Sequence, residues 1–256
     1  MHIVRSLLCG VGAATRAHFD MVQGERREAP TSPRRPITED ELLRLLLHPM
    51  ERGPLHTLIS LATPALRKLH GRADRRQTRA AKVTARARPE LAAMIKQISA
   101  DLGCTKVEAF IVEGGVEQLS LDDTSPATLY IGDDTSDLSA AELRFRVARL
   151  LAAHRLGHAL PYRLGPEDLG ASVAALLAAL CTSFTPPANE EQVDELRSRL
   201  DRALGRRLRA RLESPALELI DRPFAPSRWL EWMRQSEDRV ALAVTGDLVA
   251  AIEVLK

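Results

Sequence analysis

Apolar residues recur at helical spacing over most of this chain and form strand-like runs in only two places. From Thr38 the sequence TEDELLRLLL sets a capping box, with Thr38 as N-cap and Glu41 three residues on, ahead of an apolar run. A second helix is predicted over 53–70, kinked at Pro64. Pro89 opens a third, PELAAMIKQISADLG, which Gly103 stops. KVEAFIV at 106–112 and TLYIG at 128–132 are β-prone, with Gly114-Gly115 as the hairpin turn after the first and the turn-rich LDDTSP before the second. Asp122-Asp123 and Asp133-Asp134 flank these strands as turn and helix-entry residues rather than as an alternating calcium loop.

Ser139 and Glu142 form a second capping box, with Leu138 as its staple. In the helix that follows, Leu143, Val147, Leu150, Leu151 and His154 recur at helical spacing along one apolar face. Three more helices are predicted after Pro161. The first, 166–181, is apolar on nearly every side and should be a central core helix. The second, 189–212, carries acids early and arginines late, as the helix dipole prefers. The third spans 227–255, with Trp229 and Trp232 three apart on a core face. The expected fold is α+β, mostly α, with a small two- or three-stranded sheet. The organisation expected is a poorly ordered segment 1–37, a helical region with a basic linker over 38–88, and a main domain over 89–256.

Composition sharpens this only in part. The 256 residues are 45% hydrophobic and 27% charged, a globular balance, and the 4% of aromatics points to an aliphatic, helical core. Cys9, Cys104 and Cys181 are odd in number and form no C-x-x-C pair, which argues against a disulfide framework or a cysteine metal site and favours a reducing cytoplasm. No apolar run approaches the roughly 20 residues of a spanning helix. The net charge of +2 names no partner, but 67–88 is strongly basic. Arg72, Arg75, Arg76, Arg79 and Lys82 would contact phosphates if this stretch met a nucleic acid. No aromatic is interleaved to stack bases, so a solvated linker or helix face is the favoured reading. No phosphate-binding glycine loop, dinucleotide fingerprint or nucleophile elbow is present.

The helix over 139–160 has the cadence of a metallopeptidase active-site helix, which needs H-E-x-x-H so that two histidines four apart reach one Zn²⁺ and a glutamate activates its water. Here His154-Arg155-Leu156-Gly157-His158 has the spacing with an arginine in place of the base. Around it, Thr128-Leu129-Tyr130-Ile131-Gly132, Glu142-Leu143 with Val147-Ala148, and Ser236-Glu237-Asp238-Arg239-Val240-Ala241-Leu242 follow in order. From Pro89 to Leu255 the chain resembles zinc metallopeptidases of the CAAX-prenyl-protease and HtpX type. It is more similar still to the degenerate peptidase-like region ending long myxobacterial tetratricopeptide-repeat proteins, through Ala141-Glu142-Leu143-Arg144-Phe145, Asp238-Arg239 and Gly246-Asp247. The segments Leu47-His48-Pro49 and Gly53-Pro54-Leu55-His56 resemble a stretch preceding that region.

The resemblance implies a zincin-like fold in which Arg149, Leu150 and Ala153 stand where the first histidine, the glutamate and the second histidine belong. Arg234 stands at the third ligand, while Glu142 and Asp238 keep framework positions. It therefore implies an inactive metallopeptidase-like domain, without zinc, that binds an unknown protein or peptide, with the strand at 128–132 available for strand addition. Two alternatives stand beside it. One is a nucleic-acid-associated protein using 67–88. The other is a divergent metal-dependent hydrolase using His154 and His158, although Gly157 and Pro161 end the helix before the two rings converge.

Overall fold

A computed structural model describes residues 35–70, 80–113, 119–122, 126–132, 135, 137–186, 190–222 and 224–255. The architecture is α+β and mostly helical, with one four-stranded mixed sheet. Helix α1 (Glu39–Glu41) begins at the Thr38 capping box and passes into a π turn, Leu42–Leu46. The wider turn buries Leu42 and Leu47 while leaving Leu45 70% exposed. Helix α2 (Pro54–His70) runs on through Pro64. Strand β1 (Ala80–Lys82) leads to α3 (Pro89–Asp101), which has proline in its first turn. Gly103 (φ +66°) closes α3 in the left-handed conformation, with the Gly103 amide donating to Ala100 O (3.0 Å) and the Cys104 amide to Ser99 O (2.8 Å).

The sheet departs from the expected hairpin. Its order is β1-β2-β4-β3, with β2 (Val107–Val112) parallel to β4 (Ala127–Gly132) and β3 (Leu119–Asp122) antiparallel to β4. Gly114-Gly115 and Asp123 lie outside the described residues, but β2 and β3 are not sheet neighbours, so the glycine pair does not join a hairpin of adjacent strands. Leu121 and Asp122, which open LDDTSP, are strand rather than turn. The central β4 is paired along both edges, which corrects the expectation that residues 128–132 could accept an added strand.

Helix α4 (Ala140–Leu156) starts at the Ser139 capping box and stops at Gly157 (φ +77°). Replacing Ser139 by alanine removes its bond from the Glu142 amide, and a loss of about 1 kcal/mol is expected in urea denaturation. Helix α5 (Ala159–Leu180) is broken at Gly165 (φ +69°), so the predicted core helix begins at Pro166 as expected and a short helical turn precedes it. The charged helix expected over 189–212 is two, α6 (Glu190–Ala203) and α7 (Arg206–Leu217), divided at Gly205. The last is likewise two, α8 (Pro226–Thr245) and α9 (Leu248–Leu255). Gly246 (φ +66°) ends the first, and the Asp247 carboxylate accepts from the Ala250 amide (3.0 Å) to start the second.

Two apolar cores result. In the first, α2 packs among α5, α6, α7 and the early part of α8, with Leu58, Leu66, Leu176, Leu200, Leu212 and Met233 essentially inaccessible. The second lies between the sheet, α3, α4, α9 and the later part of α8, around Ile98, Leu129, Phe145, Leu151 and Val240. Trp229 is buried in the first core, while Trp232 is half-buried beneath the His48 ring (centroids 5.9 Å apart, 6° between planes). Residues 54–70 thus share a core with α5–α7 rather than standing apart from them. No helix among the described residues is long and apolar enough to cross a membrane.

Candidate functional site

Glycine 157 does more than stop α4. It turns the chain so that its own amide donates to His154 O (3.1 Å) and the His158 amide donates to Ala153 O (2.9 Å), a two-bond left-handed cap. His158 is therefore fixed two residues beyond the end of α4, on a different course from His154. Its ring is buried between two carboxylates. Nδ1 lies 2.8 Å from Glu237 Oε1 on α8, and Nε2 lies 2.8 Å from Glu51 Oε1 in the loop before α2. Glu51, His158 and Glu237 are respectively 1%, 2% and 4% exposed.

The loop carrying Glu51 is held by its own polar contacts. Arg52 donates to Leu47 O through Nε (3.0 Å) and a terminal nitrogen (2.8 Å), and the Glu51 amide donates to His48 O (2.9 Å). Ser236, fully buried on α8, accepts from the His48 amide (2.8 Å) and donates to the second Glu51 oxygen. His56 Nδ1 stands 3.4 Å from Glu51 Oε1. Toward solvent, Arg149 on α4 places Nε 2.9 Å from Asp238 Oδ1 and 3.9 Å from Glu237 Oε2. Tyr162 packs edge-on against His158 (6.2 Å), and the Arg234 guanidinium lies over its ring (5.8 Å).

Charge explains the ionisation of this node. Burial alone would lower the His158 pKa, but hydrogen bonds to Glu237 and Glu51 and their two charges raise it to about 9, so the imidazolium is the neutral-pH form. Burial would raise Glu51, and bonds from His158, His56 and Ser236 hold it instead at about 2. Burial lifts Asp238 to about 6 against the pull of Arg149. Burial and the Glu237 charge push the Tyr162 hydroxyl well above its usual range.

The positions singled out in the sequence fall into groups. Arg149 and Asp238 meet across α4 and α8, so this ion pair ties the two helices together. Leu150 and Ala153 belong to the apolar side of α4, half-buried and buried respectively. Glu142 serves its capping box, and its pKa is lowered first by the Ser139 hydroxyl. Arg72, Arg75, Arg76 and Arg79 lie outside the described residues. Lys82 is on β1, paired with Glu108 (2.6 Å) and set over the Phe110 ring, so this end of the basic stretch is edge strand rather than linker. Glu51 gave no signal in the sequence, because its partners His158 and Ser236 are 107 and 185 residues away.

A zinc ion needs deprotonated ligands with free lone pairs. Here both ring nitrogens of His158 are taken up by carboxylates, and the Arg149 guanidinium already rests against Asp238 and Glu237. These residues do not fit the metal. Among the described residues no group of three or more His, Cys, Asp or Glu is arranged to hold one. Cys104 and Cys181 offer little nucleophilic character, since burial pushes Cys104 up to about 11 and raises Cys181 as well. What the arrangement does chemically is neutralise charge: two buried carboxylates share one imidazolium, and a third, Asp238, pairs with a guanidinium at the edge. The class defined by fold and site is thus a mostly helical α+β protein organised around a buried ionic node. No family model, curated protein or solved structure matches the chain.

Proposed function

We propose that this protein is a catalytically inactive, metallopeptidase-like scaffold that binds another protein or peptide. The observation that carries it is the Arg149 guanidinium resting on Asp238 and Glu237. At the position where the resemblance implies the first zinc ligand, the protein supplies a cation of its own. His158 supplies a second, deeper in the node. Both cations offset the carboxylates that a divalent ion would otherwise draw on, and either would repel that ion. The fully buried Ser236 is bonded to Glu51 and does not face a substrate. A role in the cytoplasm accords with the unpaired thiols of Cys104 and Cys181.

Metal content measured by mass spectrometry on the purified full chain tests this reading, with melting before and after chelation and a peptide-hydrolysis assay alongside. Substoichiometric zinc, an unchanged melting temperature and no cleavage are expected. Stoichiometric zinc that is lost in His154→Ala or His158→Ala, together with hydrolysis, would replace this reading by the metal-dependent hydrolase.

A further inference from the structure

Strand β1 is too short to cover the strand beside it. It pairs with β2 only from Phe110 to Val112, and one further bond, from the Val83 amide to Ala109 O (2.8 Å), ends the contact. The chain then leaves in a turn, where the Arg88 amide donates to Thr84 O (2.9 Å). Strand backbone groups alternate sides every residue, so Val107 presents its amide and carbonyl to the same side as Ala109, beyond the reach of β1. Alongside this stretch runs α3, leaving a cleft of about 420 Å³ between helix and strand edge. On the helix side it is lined by Ala92, Ile95, Lys96, Ser99 and Ala100.

The rim of this cleft is basic. Lys82 from β1, Lys96 from α3 and Lys106 from the entry to β2 converge on it, against one acid, Glu108, which pairs with Lys82. Lys96 and Lys106 are exposed, and neither forms an ion pair with a described residue. Lys106 is also the one non-glycine residue with positive φ (+62°) among those described. A lysine is held there in a conformation that favours glycine, and strain of that kind concentrates at functional sites.

We propose that this cleft binds an extended acidic peptide, which adds to the edge of β2 at Val107, where no described strand pairs with it, while its carboxylates meet Lys82, Lys96 and Lys106. This rests on the binding role proposed above and gives it a place and a ligand chemistry. Main-chain bonds to β2 would supply affinity, and the three lysines selectivity for acidic side chains. A nucleic acid would use the lysines but not the strand edge.

Fluorescence anisotropy on the full chain provides the test. The probes are a labelled peptide alternating glutamate and valine, its counterpart methylated at alternate amide nitrogens, its lysine-for-glutamate version, and a single-stranded oligonucleotide. The acidic peptide alone is expected to bind, with affinity falling about tenfold in Lys96→Glu/Lys106→Glu and steeply with salt. Lys106→Gly should weaken binding while leaving the melting temperature unchanged or raised, which separates the lysine's role from folding. No binding, equal binding of the methylated or lysine peptide, or preference for the oligonucleotide would overturn the proposal. Such a failure would leave the inactive-scaffold reading standing, because that reading falls only on zinc and hydrolysis.

Discussion

Replacing His158 by glutamine is expected to lower stability by about 3–5 kcal/mol, because it leaves Glu51 and Glu237 buried without their shared cation. The same residue should shape the pH dependence. Its folded pKa of about 9 lies above the ordinary 6.5, so its stabilisation is complete below about pH 6.5 and is lost as pH rises through 9. A difference of that size corresponds to about 3 kcal/mol between the two limits. Glu51, held near 2, describes the acid side of the same contact: its stabilisation is present above about pH 4.5 and fades as pH falls through 2. Asp238 works in the opposite sense between about 4 and 6, since burial raises it. The alkaline limb is therefore the diagnostic one. Urea denaturation from pH 6 to 10 should show it in the natural protein and not in His158→Gln. Glu51→Gln, which keeps the shape and removes one charge, should move it to lower pH. An identical limb in His158→Gln would show that another group governs it.

Truncating Phe145 to alanine is expected to cost about 3–5 kcal/mol, comparable to losing the ionic node. Phe145 is fully buried in the core that joins the sheet, α3, α4, α9 and the later part of α8. It is completely inaccessible within that cluster, so the cost should fall at the upper end for a core aromatic. Leu217→Ala provides the contrast. That side chain is 56% exposed on α7, and its truncation should change stability by no more than about 0.5 kcal/mol. Similar urea midpoints for the two variants would mean that α4 is not the packed centre described above.

Elements whose signals are local were legible in the sequence. Thr38 with Glu41 and Ser139 with Glu142 are capping boxes because both partners lie within one turn, and their reciprocal bonds form as spacing alone predicts. Gly103 and Gly157 stop helices by a backbone preference that needs no distant neighbour. The sheet was half legible. The predicted runs at 106–112 and 128–132 contain β2 (Val107–Val112) and most of β4 (Ala127–Gly132), but their parallel pairing depends on β3 lying on the far edge of β4, which periodicity does not encode. Strand β1 is three residues of modest β-propensity inside a basic run, and its strand character comes from pairing with β2. Gly205 and Gly246 interrupt charged and apolar patterns that continue in phase on either side, so each pair of helices reads as one.

The node was the least legible part. His158 attracts notice as half of a metal-like pair, and Glu237 and Asp238 as part of a family-like motif. Their actual partners come from elements far apart in the chain. A glutamate in the loop after a π turn carries no mark that distinguishes it from a solvated one.

Each member of the node also stands where the chain passes between the two apolar cores: Glu51 between the π turn and α2, His158 between α4 and α5, and Ser236–Glu237 midway along α8. Opening either half alone would strand a charge belonging to the other. The ionic contact thereby acts as the coupling term between what would otherwise be two independent folding units. Together with α8, which runs through both cores, it leads us to expect a single cooperative melt for the natural protein.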